Sequence, residues 1–218
     1  MNLQKLTGYP FAIFDLDGTL NDSGPGIIRS LRYALDTMQK ELPGVDLRTF
    51  VGPPLLERFQ EEGLTLEETQ EAIRLFRQCY TSGAMYECEL YPGMPELLAK
   101  LQEKGIKLYV ATSKKEDTAR HIVEHLGLAQ YFVMTAGSDP QSGRESKSAV
   151  LKYLMAEYDT GKAVMIGDTF YDVRGAKKLG LPCIGVSWGY GSVEAMEEEG
   201  AVKVVDTAEE LLEAILSC

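Results

Sequence analysis

Two acidic residues stand where a short apolar segment ends, in the stretch FAIFDLDGTLNDS (11–23). Asp15 directly follows four apolar residues, and Asp17 comes two positions later, ahead of Gly18. An ionised carboxylate next to a buried segment is costly unless a metal ion or a chemical role compensates it. Residues two apart in an extended chain point to the same side, so we expect both carboxylates to face one site.

A second acidic pair occurs in GDTFYD, where Asp168 ends the apolar run AVMIG and Asp172 follows four residues later. Asp168, Asp15 and Asp17 at one place would repel each other, which raises carboxylate pKa values. A bound divalent cation removes this problem, and hard oxygen ligands suit Mg²⁺. The acidic residues therefore predict a magnesium site.

Hydroxyl and cationic side chains complete the set of candidate groups. Thr112 and Ser113 end the apolar run IKLYVAT and are expected to open a helix, whose unpaired amides would seat a phosphate. Lys147 lies just before another predicted helix and would neutralise such an anion; Arg144 and Lys152 are alternative cations nearby. Carboxylates, Mg²⁺, a hydroxyl, amides and a lysine together predict phosphoryl-transfer chemistry.

The elements that must position these groups are short apolar strands that alternate with amphipathic helices. Such runs are typical of a parallel sheet that is buried on both faces, so we predict an α/β fold with a doubly wound, Rossmann-like sheet. The candidate groups follow strand ends, which meet at one edge of such a sheet. The predicted strands are FAIF (11–14), IKLYVAT (106–112), YFVMTAG (131–137), AVMIGD (163–168), PCIGVSW (182–188) and VKVV (202–205).

One interval interrupts the alternation, because no good strand occurs between Asp22 and Cys88. Amphipathic helices occupy it instead, one of them beginning at Thr65 with Glu68 as a capping box. We therefore predict a helical cap domain at 22–88, inserted into an α/β catalytic core made of 1–21 and 89–218. The loop FVGPPL (50–55) either terminates helices or reaches over the site to contact the substrate, and both interpretations stay open.

Composition limits the partners. The chain of 218 residues has a formal net charge of -11 and a pI of about 4.8, which argues against nucleic acid binding. No apolar run approaches the roughly 20 residues of a membrane span. The four scattered cysteines suit reduced thiols. We expect a cytoplasmic protein, a monomer or weak homodimer, whose partner is a small phosphorylated substrate.

Four motifs in this order, DLDGT, the TS pair at 112–113, Lys147 and GDxxxD, resemble those of the haloacid dehalogenase-like superfamily. The helical insertion after the first motif resembles that superfamily's phosphatase cap, so the resemblance covers nearly the whole chain. The segments ATSK, GSDPQSGRESK and GVSWGYG are most similar to the phosphoglycolate phosphatase-like branch.

The resemblance implies a role for each matching residue. Asp15 would be the nucleophile that forms a phosphoaspartate, and Asp17 the general acid and then base, with a backbone carbonyl that binds Mg²⁺. Asp15, Asp17, Asp168 and Asp172 would form the metal site, Asp172 through water or hydrogen bonds. Gly18, Thr112, Ser113 and Lys147 would bind the phosphoryl group, and Thr112 and Lys147 would also assist catalysis.

The expected function is thus a magnesium-dependent phosphatase that hydrolyses a small phosphorylated metabolite, most like phosphoglycolate phosphatase. A 5'-nucleotidase, a pyrophosphatase and a β-phosphoglucomutase-like phosphomutase are alternatives on the same scaffold. A phospho-accepting receiver-type regulator is the alternative that is not an enzyme, since it also combines an aspartate, magnesium, a hydroxyl residue and a lysine. The second acid, Asp17, and the helical insertion argue against it.

Overall fold

The computed structural model describes residues 8–158 and 161–217. Within these ranges the strands are β1 (Phe11–Phe14), β2 (Asn21–Asp22), β3 (Glu89–Leu90), β4 (Lys107–Lys115), β5 (Phe132–Ser138), β6 (Ala163–Gly167), β7 (Cys183–Val186) and β8 (Lys203–Val205). The helices are α1 (Gly24–Thr37), α2 (Leu55–Glu61), α3 (Leu66–Thr81), α4 (Met94–Glu103), α5 (Glu116–His125), α6 (Lys147–Glu157), α7 (Phe170–Lys177), α8 (Val193–Glu199) and α9 (Ala208–Ser217).

Six strands form one sheet in the order β5-β4-β1-β6-β7-β8, and every neighbouring pair is parallel. The chain winds outward from β1 in both directions, which confirms the predicted doubly wound α/β fold. Ala12, Ile13 and Phe14 of β1 are fully buried because apolar side chains cover both faces of the sheet. The carboxyl ends of β4, β1 and β6 lie side by side at the centre of one edge.

The helix predicted to open at Thr112 and Ser113 begins later. Strand β4 continues to Lys115, which pairs with Ser138 of β5 after a register shift, and α5 starts only at Glu116. The prediction of helix amides at Thr112 and Ser113 is therefore wrong. The strand end was misplaced because a polar strand terminus, SKK, carries no apolar signal.

A helical segment lies between β2 and β3 and contains α1, α2 and α3, with short 3-10 turns at Leu47–Phe50 and Ala84–Tyr86. The antiparallel pairs Asn21↔Leu90 and Asp22↔Glu89 join the two points where the chain leaves and re-enters the sheet domain. The predicted capping box at Thr65 is present, with Glu68 bonded back to the Thr65 amide at 2.9 Å. We call the segment from Ser23 to Cys88 the cap.

The cap packs on the sheet domain through a continuous apolar cluster. Leu31 and Phe59 of the cap and Leu98 and Val110 of the sheet domain belong to it and are fully buried. Cys79, Cys88 and Cys183 are free thiols, and Cys218 lies outside the described residues. Among the described helices, none combines the length and the apolar character that crossing a membrane requires.

Candidate active site

Three carboxylates meet where the central strands end. Asp15 follows β1, Asp168 follows β6, and Asp172 lies in the first turn of α7. One oxygen from each lies within 4.8 Å of the others. All three residues are nearly or fully buried, at 9%, 1% and 0% exposure for Asp15, Asp168 and Asp172.

Lys147 is the buried cation of this cluster. Its Nζ lies 2.7 Å from Oδ1 of Asp15 and 2.8 Å from Oδ1 of Asp172, and it donates a hydrogen bond to the Ala111 carbonyl at 2.9 Å. Lys147 reaches the site because it is the first residue of α6 and packs against Gly175 of α7. It therefore joins the strand end at Asp15 to the helix that carries Asp172.

The two alternative cations lie elsewhere. Arg144 pairs with Glu116 at 3.1 Å and stacks on the ring of Tyr153, and Lys152 is exposed on α6. Of the three basic residues considered, the structure brings Lys147 to Asp15.

Asp172 fixes the start of its own helix. Its Oδ2 accepts hydrogen bonds from the Thr169 amide at 3.1 Å and from the Thr169 hydroxyl at 2.8 Å, while its Oδ1 pairs with Lys147. Both oxygens are thus engaged, so Asp172 supports Lys147 and the Asp168–Thr169 turn. This arrangement is compatible with the supporting role expected of Asp172.

Asp168 is enclosed by backbone. Its Oδ2 accepts a hydrogen bond from the Tyr190 amide at 2.9 Å, and its Oδ1 accepts one from the Thr19 hydroxyl at 3.3 Å. A Cβ at Gly18 would lie 2.1 Å from Oδ2 of Asp168, and one at Gly189 only 2.3 Å from its Cβ. The amide of Gly18 donates to the Asn21 carbonyl at 2.9 Å, so the structure gives Gly18 the role of making room for Asp168 instead of offering an amide to phosphate.

The electrostatics of the cluster are unbalanced in the protein alone. Burial, together with the neighbouring Asp172, raises the pKa of Asp15 to about 7 against the opposing effect of Lys147. Burial and the nearby carboxylates of Asp172 and Asp15 raise the pKa of Asp168 well above its usual value. Burial alone would lower the pKa of Lys147, but Asp15 and Asp172 outweigh it and raise that pKa. Three buried acids face one buried lysine, and a divalent cation with oxygen ligands would restore the balance.

Asp17 lies outside this cluster and has a cationic partner of its own. Its Oδ2 is 3.0 Å from Nζ of Lys114, which also donates to the hydroxyl of Tyr80 in α3 of the cap. Lys114 was missed in the sequence, where it is one of two adjacent lysines after the TS pair. Nothing local distinguishes it from Lys115, which is exposed.

The TS pair divides into a buried and an exposed residue. Thr112 is 2% exposed, follows Ala111 of the Lys147 contact, and accepts a hydrogen bond from the Lys114 amide at 3.2 Å. Ser113 is exposed. The structure thus buries Thr112 next to the residue that Lys147 contacts and exposes Ser113, and the phosphate-binding roles of both stay predictions.

Two loops contact the surroundings of the site. In FVGPPL, a Cβ at Gly52 would lie 3.2 Å from Cγ2 of Thr169, so this cap loop touches the turn beside Asp168. In GVSWGYG, the Tyr190 hydroxyl donates to Asp22 and accepts from the Gly24 amide at 2.7 Å, which ties the loop to the start of α1. The first contact favours the interpretation of FVGPPL as a loop that reaches over the site.

The chain is similar to several known proteins. The family described as "Haloacid dehalogenase-like hydrolase" matches residues 12–186. The chain is 40% identical to tyrosine-protein kinase PtkA of Mycobacterium tuberculosis, covering 93% of this chain and 71% of that protein. It is 37% identical to a 5'-nucleotidase of Pseudomonas aeruginosa, covering 86% and 87%.

Two further relatives carry phosphatase names. A phosphoglycolate phosphatase of Mesorhizobium japonicum is 32% identical and is covered to 97%, with 94% of this chain. The crystal structure of a predicted phosphatase from Clostridium acetobutylicum superposes with a TM-score of 0.89 at 38% identity, covering 96% of this chain and 99% of that one.

The resemblance predicted from the four motifs is confirmed, and a phosphatase is the class of enzyme that these findings support. The chain belongs to the haloacid dehalogenase-like hydrolase family.

Proposed function

We propose that this phosphatase uses Mg²⁺ and hydrolyses the phosphate monoester of a small metabolite through a phosphoaspartate on Asp15. The observation that carries the proposal is the placement of Asp15, with its carboxylate 2.7 Å from Lys147 and beside Asp168 at the centre of the sheet edge. A buried carboxylate needs such partners to stay ionised and act as a nucleophile.

The residues present fit a divalent cation. Asp15 and Asp168 would hold it directly, with the Asp17 backbone carbonyl, while Asp172 would support it through hydrogen bonds. These groups are all hard oxygen ligands. One carboxylate oxygen each from Asp15, Asp168 and Asp172 lies within 4.8 Å of the other two. When bound, Mg²⁺ supplies positive charge against the phosphoryl oxygens and lowers the pKa values of the acids.

In the first chemical step, an oxygen of Asp15 attacks phosphorus and the bond to the leaving oxygen breaks. Lys147 neutralises the charge that gathers on the phosphoryl oxygens, and the Thr112 hydroxyl and Ser113 amide orient them. Lys147 needs little reorganisation for this role, because Asp15, Asp172 and the Ala111 carbonyl already hold it.

Asp17 moves the protons. It gives its proton to the leaving oxygen, so that an alcohol departs and phosphoaspartate remains. It then takes a proton from the water that attacks the phosphoaspartate, which releases inorganic phosphate and restores the Asp15 carboxylate. The cap covers this site and limits access of other water, as the contact of Gly52 with Thr169 suggests.

Phosphoglycolate is the first substrate that we propose, because phosphoglycolate phosphatases are relatives over nearly the full chain. Nucleoside 5'-monophosphates are the second candidate. A cavity of about 1000 Å³ lies between α1 and the loop at Trp188 and Tyr190, and Tyr33, Tyr91 and Arg32 also line it. Such a mixture of aromatic and cationic side chains suits a base and an anion, and a 5'-nucleotidase is 37% identical. The pyrophosphatase, phosphomutase and receiver-type alternatives are outcomes of the same assay.

The expected partners follow from this proposal. A small phosphorylated substrate, no nucleic acid, no membrane, a monomer or weak homodimer and a cytoplasmic location stay predictions, based on the net charge of -11 and the composition.

The test is a phosphate-release assay with Mg²⁺ on phosphoglycolate, nucleoside 5'-monophosphates, pyrophosphate and a hexose phosphate. We expect Asp15→Asn to abolish turnover and Asp17→Asn to lower it by at least about 100-fold. Glu213→Gln, at an exposed acid on α9 away from this cavity, is the matched control and should retain activity. Full activity of Asp15→Asn would refute the nucleophile.

Two other outcomes would redirect the assignment. A phosphoprotein that accumulates without turnover would indicate a receiver-type regulator. Transfer of phosphate from ATP to a tyrosine peptide, in place of release into water, would indicate the activity named for PtkA.

A further inference from the structure

The proposed proton-transfer residue Asp17 is held by a chain of contacts that crosses from the sheet domain into the cap. Nζ of Lys114, in β4, lies 3.0 Å from Oδ2 of Asp17 and 2.5 Å from the Tyr80 hydroxyl oxygen. The same Nζ lies 4.4 Å from the centre of the Tyr80 ring. The Lys114 side chain is only 10% exposed. A lysine that is this deeply buried needs anionic or acceptor partners, and these two provide them.

The two oxygens of Asp17 have different surroundings. Oδ2 is bound to Lys114, whereas Oδ1 is buried and has no hydrogen-bond partner among the described residues. A buried carboxylate oxygen without a partner costs stability, so its persistence needs a reason. A free, oriented oxygen is what a general acid–base requires.

Tyr80 is a firm anchor for Lys114. It is 5% exposed, and its ring stacks on Phe76 with centroids 5.3 Å apart and planes at 14°. Burial raises the pKa of Tyr80 to about 12, so the hydroxyl stays neutral. Its oxygen accepts a hydrogen bond from the ammonium group of Lys114. The side-chain path from Asp17 through Lys114 therefore ends on helix α3 of the cap.

We propose that Lys114 and Tyr80 are positioning residues, which hold Asp17 by Oδ2 so that Oδ1 faces the leaving oxygen and transfers the proton. The inference rests on the proposed role of Asp17. It also links the position of the cap to Asp17, because Tyr80 can bind Lys114 only while α3 is packed against the sheet domain. The cap thus helps to orient the proton donor as well as to cover the site.

The test uses leaving groups that differ in their need for a proton. Para-nitrophenolate leaves without protonation, whereas an alkoxide, as from phosphoglycolate, requires it. The quantity measured is kcat/KM, which includes the steps up to departure of the leaving group. We expect Lys114→Met to lower kcat/KM about 100-fold for phosphoglycolate, or for the best alkyl phosphate of the panel, and less than about tenfold for para-nitrophenyl phosphate.

Two variants keep the test decisive. Tyr80→Phe retains the ring and removes only the hydroxyl, so it should fold. We expect it to lower kcat/KM for phosphoglycolate by about threefold to tenfold and to change kcat/KM for para-nitrophenyl phosphate less. If Lys114→Met fails to fold, Tyr80→Phe alone decides. Lys107→Met, an exposed lysine at the other end of β4, is the matched control and should behave as the unaltered protein.

Asp17→Asn separates the inference from the proposed function. In that background, Lys114→Met should cause no further selective loss, since both act through Oδ1 of Asp17. If Lys114→Met and Tyr80→Phe lose kcat/KM equally on both substrates, or lose none, the inference is overturned. A selective loss in Asp17→Asn would still support the proposed function. Absence of selectivity in Asp17→Asn itself would overturn both.

Discussion

Lys147 and Asp15 form a buried ion pair with their charged atoms 2.7 Å apart, at the place where the central strand of the sheet ends. The pair orients the proposed nucleophile, and Lys147 at the same time neutralises Asp172. The buried side chain of Lys147 thus contacts both the proposed nucleophile, Asp15, and its supporting acid, Asp172.

Lys147→Met should therefore lower both activity and stability. Without the ammonium group, Asp15 and Asp172 are buried with no cation among the described residues, which costs about 3 to 5 kcal/mol of unfolding free energy. We expect turnover to fall at least about 100-fold. Urea unfolding and phosphate release measure the two effects, and Lys152→Met on the exposed face of α6 should change neither. Near-normal turnover in Lys147→Met would contradict the proposed role.

Gly18→Ala should displace Asp168. Gly18 has φ +79°, and a Cβ there would lie 2.1 Å from Oδ2 of Asp168. Mg²⁺ should then bind more weakly. We expect the Mg²⁺ concentration that gives half-maximal activity to rise at least about tenfold. Gly44→Ala is the control, since Gly44 has φ +78° and no neighbour within 4 Å of an added Cβ. Both variants share the backbone strain, so equal Mg²⁺ requirements would show that contact with Asp168 is irrelevant.

Stability should depend on pH and Mg²⁺ together. In the metal-free protein the pKa of Asp15 is raised from 3.8 to about 7. The folded state then binds this proton more tightly than the unfolded chain, so this residue's contribution to stability is lost as pH rises from about 4 to about 7. Mg²⁺ binds the ionised carboxylates and should raise Tm by a few degrees more at about pH 8 than at about pH 5.

Thermal unfolding with and without Mg²⁺ at the two pH values measures this difference. Asp168→Asn should remove most of the Mg²⁺ effect, because it removes a proposed ligand. An equal Mg²⁺ effect at both pH values would argue that the cation does not bind at these acids.

Gly52→Ala tests the contact between cap loop and site. Gly52 has φ +102°, and a Cβ there would lie 3.2 Å from Cγ2 of Thr169. Gly63, between α2 and α3, has φ +89° and no neighbour within 4 Å of an added Cβ. Both substitutions should lower stability by about 1 kcal/mol through backbone strain, but only Gly52→Ala should change KM, by several-fold. Identical kinetics in the two variants would leave FVGPPL with a purely structural role.

The sheet was predictable because its strands are continuous apolar runs. The predicted and observed strand ends differ most at β4, where 112 was expected and 115 is found. There the polar residues Ser113 to Lys115 extend the strand by pairing with β5, a contact that no local pattern reports.

The site was predictable where a residue type and its position after a strand sufficed, as at Asp15 and Asp168. Lys114 was missed because its importance comes from Tyr80, which lies 34 positions earlier in the chain and in the cap. The engaged amide of Gly18 was likewise hidden, since the bond to Asn21 depends on the shape of the turn.

The paired residues Asp22 and Glu89 bring the two junctions of the cap together in one short antiparallel ladder. Because both ends of the insertion start from the same place, closing a longer or shorter segment there costs little extra entropy. The short ladder at Asp22 and Glu89 thus offers two adjacent points for grafting a foreign helical segment.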